Sequence, residues 1–266
     1  MPGISSAGEG AEGYNVRGGK VDENLILLDD GVIYNPSHFF GIFSAINPFS
    51  TDEVTIYKGH VPAEYGGRLS SVFDIRTQDA SVDKLAGEAS IGLVTSNVLL
   101  EVPVVKEKAG LLVGIRATYS DIILRNLDNE ELEKSEASFY DAILKYYHEI
   151  NDKNSIRATG YFSRDDFSIT SDSVFGYSNR MASLRWDHTF DEKNKGAFIV
   201  SNTQYKFDIE FDGQTNRNFE LGYKVNETEL KLNLVYKANS RHKINYGLST
   251  KLYGTEPGFI RPLGDN

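Results

Sequence analysis

The chain has 266 residues, no cysteine and a formal net charge of −10. The lack of thiols excludes a disulfide framework and any thiolate metal site, and the acidic balance repels a phosphate backbone, which argues against nucleic acid as a partner. No run approaches the roughly 18–20 apolar residues of a transmembrane helix, a test that strands alternating apolar and polar residues escape.

Residues 1–12 are small and acidic, without the basic start and apolar core of a secretion signal. Either the protein is cytoplasmic or its natural start lies elsewhere. Residues 14–78 are rich in Gly, Asp and Pro and read as a small mixed α/β unit. Residues 25–28 are predicted as a buried strand, stopped by a hairpin turn at Asp29-Asp30-Gly31. A calcium site at that turn lacks the alternating ligand series it would need. Residues 36–43 are predicted as a short helix with Pro36 near its start, broken at Asn47-Pro48. Residues 54–58 and 72–76 alternate as strands.

From residue 84 onward apolar and polar residues alternate over long stretches, which fits half-buried strands. Nine crossings are expected, at about 84–93, 97–105, 110–120, 139–150, 154–164, 178–190, 195–211, 220–237 and 242–253. Short polar turns at 106–108, 151–154, 191–194 and 238–241 alternate with long polar connections at about 125–138, 164–177 and 212–220. Tight turns on one side and long loops on the other are the pattern of a transmembrane β-barrel. Aromatic residues at strand ends (Phe139, Tyr140, Tyr177, Phe190, Phe211, Tyr223, Tyr236 and Tyr253) are expected to form its interfacial girdles. The competing architecture is a soluble antiparallel sandwich, but sandwich strands run to about five or six residues and their connections do not sort into short and long.

Nine strands do not close a bacterial barrel, which takes an even number, and each backbone hydrogen bond left unmade in lipid costs several kcal/mol. The natural protein is therefore expected to continue past Asn266. The fold expected is mainly β: a small mixed α/β plug domain over residues 1–80, then an incomplete antiparallel transmembrane β-barrel over residues 81–266.

Catalytic chemistry finds no support. No phosphate-binding loop, nucleophile elbow or metal-spaced cluster occurs, and Ser70, Ser71 and Glu64 have no positioned base beside them. No enzyme activity, cofactor or metal is expected. His38 with Phe39 and Phe40 is the candidate substrate-binding surface, although a lone histidine is more often an ordinary loop residue.

Four motifs in order carry a family resemblance: Asn15-Val16-Arg17-Gly18-Gly19, then Asn24-Leu25-Ile26-Leu27-Leu28-Asp29-Asp30-Gly31-Val32, then Glu53-Val54-Thr55-Ile56-Tyr57-Lys58-Gly59, then Pro62-Ala63-Glu64-Tyr65-Gly66-Gly67-Arg68-Leu69-Ser70-Ser71-Val72. Each is weak alone; together they resemble the plug domain of TonB-dependent outer-membrane receptors of the Bacteroidetes-like type. The resemblance extends over about residues 13–255 into the alternating strands. It implies a fragment, with plug and barrel both truncated relative to a plugged barrel of about 22 strands. It also implies energised uptake of a large scarce nutrient (a siderophore, cobalamin, glycan or peptide) across the outer membrane of a Gram-negative cell, with the plug in the barrel lumen. The partners implied are outer-membrane lipid, the TonB complex of the inner membrane through a TonB box outside this chain, an unidentified imported ligand and, in some relatives, a surface lipoprotein.

By the same resemblance Arg17 and Arg68 are expected to anchor the plug to acidic residues of the wall, mostly on strands absent from this chain, since guanidinium groups bind carboxylates in a bidentate way. Glu53 and Lys58 complete that anchoring set. Gly18, Gly19, Gly59, Gly66 and Gly67, with Asp30 and Gly31, are expected to form the plug turns. The alternative function is a soluble β-rich module that binds carbohydrate or protein.

Overall fold

A computed structural model describes residues 2–6, 13–39, 41–120, 135–168, 173–211 and 218–263. The N-terminal unit opens with the paired strands β1 (Ile4–Ser6) and β2 (Tyr14–Val16). Its centre is a four-stranded sheet ordered β4-β3-β8-β7, built from β3 (Asn24–Leu28), β4 (Gly31–Val32), β7 (Thr51–Tyr57) and β8 (Ser71–Thr77). β3 runs parallel to β8 and antiparallel to β4. It is buried throughout because both its faces are covered. The two-residue side-chain period divides its apolar run: Ile26 and Leu28 join a cluster with Val16, Ile46, Phe73 and Ile75, whereas Leu25 and Leu27 join Val32 and Val72.

Asp29 and Asp30 form the β3–β4 turn, both at positive φ (43° and 72°), as a two-residue type I′ hairpin loop requires. Gly31 is not in that conformation. Its missing side chain makes room for a neighbour: a Cβ there would lie 2.6 Å from Met181 Sδ.

The predicted helix over residues 36–43 does not form. β5 (Ser37–His38) and β6 (Phe43–Ser44) pair as a short hairpin, and Phe39 and Gly41 adopt positive φ, 49° and 94°, which a right-handed helix excludes. An isolated helix of that length is marginal, and the hairpin gains side-chain partners on the large sheet instead.

The remainder is one nine-stranded antiparallel sheet in which each strand pairs with its sequence neighbours. Its strands are β9 (Ala86–Ile91), β10 (Thr95–Val105), β11 (Ala109–Thr118), β12 (Glu136–Asn151), β13 (Asn154–Ser168), β14 (Ser173–Thr189), β15 (Asn194–Phe211), β16 (Phe219–Lys237) and β17 (Lys243–Pro262). They correspond one to one with the nine predicted crossings, but several are longer. The β13–β14 ladder runs on to Phe167 opposite Phe175, and the β15–β16 ladder to Phe211 opposite Phe219. The long connections predicted at 164–177 and 212–220 are therefore largely strand, apart from residues 169–172 and 212–217, which lie outside the described residues. Of the connection at 125–138, residues 136–138 belong to β12 and 125–134 lie outside the described residues. The outward face of these strand ends is polar, with Arg164, Asp166, Lys206, Asp208 and Glu220 in ion pairs, so the outward apolar repeat stops before the strands do.

In β12 to β16 odd-numbered side chains face the N-terminal unit and even-numbered ones face outward, as the partners of Asp141, Arg157, Arg185, Tyr205 and Glu227 show. The outer face is apolar over a band that includes the exposed Leu144, Leu184, Phe198, Leu230 and Leu232. Its upper boundary crosses the strands diagonally. Tyr140 is the last apolar residue on β12 and pairs with the polar Arg164, Phe162 pairs with Arg180, and Ala182 pairs with Asn202, one two-residue step per strand; Val200 then pairs with Leu230 without a step. Three such steps over four inter-strand spacings are about 20 Å along the strands against about 19 Å across them, a tilt near 45°.

The aromatic girdle matches expectation in part. Phe139 is buried on the inner face, and Tyr177 and Tyr223 pack with Phe207 there. Phe190 and Tyr236 are exposed at the short-turn end as expected, joined there by Trp186, Phe198 and Tyr246, and Tyr140 and Tyr253 are exposed as well. Strand-end position alone does not specify the face; parity does. Among the described residues no helix is long and apolar enough to cross a membrane, which says nothing of strands.

The N-terminal unit contacts seven consecutive strands, from Asn97 on β10 to Glu227 on β16, with hydrogen bonds or ion pairs to six and ring packing of Tyr34 on Tyr205 to β15. Laid flat, those strands would span about 29 Å, roughly twice the width of the four-stranded sheet. The large sheet must therefore curl around the smaller unit.

Candidate functional site

The densest chemistry lies where the N-terminal unit meets the inner face of this wall. Near the short-turn end, a chain of alternating charges crosses the boundary. Arg76 holds Asp30 in a bidentate pair at 2.8 Å for both contacts and reaches Asp74 at 3.0 Å. Asp30 also pairs with Arg185 on β14 at 3.2 Å, and Arg185 with Asp187 at 2.9 Å. Asp187 pairs with Arg157 on β13 at 3.0 Å, Arg157 with Asp79 at 2.9 Å, Asp79 with Lys145 on β12 at 3.0 Å, and Lys145 with Asp29 at 3.6 Å. Lys145, whose side chain is 3% exposed, also donates to the Thr77 carbonyl at 2.6 Å. Asp29 accepts from the Thr77 amide at 3.0 Å, the Thr77 hydroxyl and the Thr159 hydroxyl at 2.9 Å. A polar cavity of ≈ 600 Å³ opens beside the chain.

Burial opposes the charge of Asp30, but the hydrogen bonds and charges of Arg76 and Arg185 outweigh it and hold its pKa at about 2. Asp79 is lowered in the same way, burial being outweighed by Arg157 and Lys145.

Toward the long-connection end the polarity reverses, with the wall acidic. His38 Nδ1 lies 2.6 Å from Asp165 Oδ1 on β13, and its Nε2 lies 3.5 Å from Asp141 Oδ2 on β12. The His38 ring stacks on Phe139 with centroids 4.1 Å apart. Tyr34 donates to Glu227 on β16 at 2.6 Å; burial and that carboxylate both push its pKa up. The negative turn Asp29-Asp30 thus faces wall cations at one end, and His38 and Tyr34 face wall carboxylates at the other. Turned end for end, the unit would set like charges together, so the pattern favours one seating.

Between these ends the contacts are neutral. Asn47 and Asn97 exchange amide hydrogen bonds. Asn179 accepts from the Asn35 amide at 3.3 Å and donates to the Asn35 carbonyl at 3.0 Å, so that its side chain imitates a strand partner. Tyr161 donates to the Ala45 carbonyl at 2.5 Å. Leu99, Leu112, Ile143 and Met181 of the wall complete the apolar cluster of the N-terminal unit.

Within this chain the predicted anchoring residues make local contacts. Arg17 lies against Gly59 and hydrogen-bonds through its backbone to Gly3. Arg68 donates to the Gly67 carbonyl and lies over the Tyr34 ring, 5.8 Å from its centroid. Glu53 accepts from Thr55, and Lys58 donates to the Pro2 carbonyl. All of these contacts lie within the N-terminal unit. Among the predicted turn residues, Gly18 and Gly67 have positive φ, Gly19 and Gly59 abut Ser70 and Arg17, and Gly66 is neither strained nor crowded. His38 is buried in the interface rather than on a free surface; Phe39 packs edge-on against Phe139 at 5.0 Å, and Phe40 lies outside the described residues. Ser70 and Ser71 are engaged with the Val16 carbonyl and Asn24. No cluster of three or more His, Asp or Glu side chains suited to a metal occurs among the described residues.

Sequence reading did not single out Lys145, Arg157 and Arg185 as the wall cations. Their parity, opposite to the apolar face, is visible in the sequence; their pairing with Asp29, Asp30 and Asp79 is not.

Residues 1–71 match the family model of the TonB-dependent receptor plug domain. The copper transporter OprC superposes with a TM-score of 0.70 at 12% identity, over 97% of this chain and 42% of that one. The ferric citrate transporter FecA matches with a TM-score of 0.67 at 13% identity, over 98% and 45% of the two chains. The ferric preacinetobactin receptor BauA from Acinetobacter baumannii matches with a TM-score of 0.65 at 11% identity, over 95% and 42%. The chain thus spans less than half the length of each. At such identities the agreement is one of fold: a plug domain against the wall of a plugged barrel. No curated protein matches in sequence.

Proposed function

We propose that this chain, whose residues 1–71 match the TonB-dependent receptor plug, belongs to an outer-membrane transporter that takes up a large scarce nutrient under TonB control. Residues 1–80 act as the plug and residues 81–266 as part of the barrel wall. One observation carries the reading: the nine-stranded sheet is apolar on its exposed outer face, while its polar inner face is filled by the N-terminal unit. A soluble module would bury its apolar face and hydrate its polar one. Here the arrangement is inverted, as lipid on the outside demands.

The interface suits a plug that is held and yet movable. Around an apolar cluster shared with the wall, its polar contacts are ion pairs, amide pairs and side-chain to carbonyl bonds, which water can replace once an opening begins. Partners in this reading are outer-membrane lipid, the inner-membrane TonB complex and, as in some members of the family resembled, a surface lipoprotein. The cargo belongs to the siderophore, cobalamin, glycan or peptide classes; the names of the matched structures favour a metal-containing one.

The test uses the full-length protein in cells, with cysteines placed by Asn47→Cys and Asn97→Cys and joined by a short thiol cross-linker. Uptake of a panel of candidate cargoes should stop on cross-linking and should depend on TonB. Uptake unaffected by loss of TonB would refute energised transport.

A further inference from the structure

The β5–β6 hairpin carries a buried charge cluster that the transport reading does not use. His38 on β5 is 1% exposed and lies between Asp165 and Asp141. Asp141 Oδ2 also accepts from Arg116 Nε on β11 at 2.6 Å, and Arg116 Nη2 donates to the Ser44 carbonyl on β6 at 2.6 Å. Three consecutive wall strands thus grip one two-strand hairpin through four ionisable side chains. Tyr161 also faces this cluster from β13, its hydroxyl held by the Ala45 carbonyl. Arg164 and Asp166, beside Asp165 in sequence, point to the outer face and pair with each other.

The charge count decides which form of His38 the site accepts. With His38 protonated, two cations (Arg116 and His38) meet two carboxylates (Asp141 and Asp165), and the dry cluster is neutral. With His38 neutral, one negative charge is uncompensated, and an imidazole that keeps one proton can donate to only one of its carboxylates. His38 Nε2 and Asp141 Oδ1 both lack a hydrogen-bond partner among the described residues, so the 3.5 Å contact of Nε2 with Asp141 Oδ2 holds as an ion pair and is lost when the imidazole is neutral.

We propose that His38 is a proton-operated latch: charged, it holds the β5–β6 hairpin against β12 and β13, and neutral, it lets the hairpin leave the wall. Burial works against the imidazolium, but the Asp165 hydrogen bond and the negative charges of Asp165 and Asp141 outweigh it and raise the His38 pKa above its ordinary 6.5. A group raised on folding stabilises the seated state fully below its ordinary value and loses that contribution as pH rises through the higher folded value. The latch is therefore closed in acid and weakens toward alkaline pH. The segment it controls carries Phe39 and the exposed Ile42 at the hairpin tip, so the proton sets how firmly that end of the plug is seated.

The latch rests on the reading of the N-terminal unit as a plug seated against the wall, and the test separates the two. A spin label is attached through Ile42→Cys in the full-length protein in detergent, and its mobility is followed from about pH 5 to about pH 9. The label should be ordered in acid and become mobile as pH rises, with a midpoint above 6.5. With His38→Gln it should be mobile throughout and independent of pH. With Asp165→Asn, which keeps the histidine but removes one charge, the midpoint should fall by about one pH unit or more. A transition that persists in His38→Gln, a midpoint unmoved by Asp165→Asn, or a label ordered up to pH 9 would overturn the latch alone. A label already mobile in acid and insensitive to His38→Gln would overturn the seated plug as well.

Discussion

Asn47 and Asn97 face each other across the boundary between plug and wall and exchange two amide hydrogen bonds, of 2.8 and 2.9 Å, in a site closed to solvent. Neither side chain titrates, so this contact keeps its strength over a pH range in which the charged contacts around it change.

Removing one partner of that pair leaves a buried amide unsatisfied, at about 1–3 kcal/mol. Asn97→Leu should lower the thermal midpoint for unseating the plug, measured by protease accessibility. Adding Asn47→Leu should cost less than a second full increment, the remainder being the Phe49 amide that Asn47 also accepts from at 2.9 Å. Additive losses would show that the pair is not coupled.

Lys145 is the most deeply buried wall cation of the charge chain, serving Asp79, Asp29 and the Thr77 carbonyl. Lys145→Met should destabilise the seated plug by about 3–5 kcal/mol, since it strands carboxylates away from water. Arg157→Gln, at a more exposed link, should cost clearly less. The ranking can be read from denaturant midpoints of the two variants.

The acid limb of stability follows from Asp30. Its pKa is depressed on folding from 3.8 to about 2, so its contribution is complete above the unfolded value and is lost as pH falls through that interval. Seating should weaken below about pH 4, and Asp30→Asn should remove that dependence at the cost of lower stability at neutral pH. A parent protein whose seating is unchanged between these two values would contradict the Arg76 and Arg185 pairing.

Gly31 meets Met181 so closely that any Cβ displaces the thioether. Gly31→Ala should cost about 1–3 kcal/mol by overpacking, and Met181→Ala in the same chain should recover most of that loss. Calorimetry on the single and double variants checks it.

Parity predicts opposite phenotypes for adjacent residues. Leu184 is exposed on the outer face and Ser183 is buried on the inner one. Leu184→Arg should impair membrane assembly by about 2–4 kcal/mol, whereas Ser183→Arg should leave the wall assembled and displace the plug. Urea-driven extraction from membranes and protease access to the plug read the two effects separately.

The elements were largely legible from the chain alone. Alternation located all nine wall strands, because a sheet with unlike environments on its two faces must repeat every two residues. The run from Asn24 to Val32 likewise announced a buried strand and a tight turn, since consecutive apolar residues followed by Asp-Asp-Gly leave few other conformations. What escaped was everything that depends on a second surface. The hairpin at Ser37 to Ser44 replaced a predicted helix because its partners, Phe139, Asp141 and Asp165, lie more than ninety residues away. Arg17 and Arg68 are prominent in sequence yet bond within the plug, while Lys145 and Arg185, ordinary polar positions in alternating strands, hold the acidic turn and Arg157 joins them through Asp79 and Asp187. Local sequence specifies period and turn geometry through short-range sterics. The pairing of charges across an interface follows only from how the sheet curls and which register it adopts, and no local pattern encodes that.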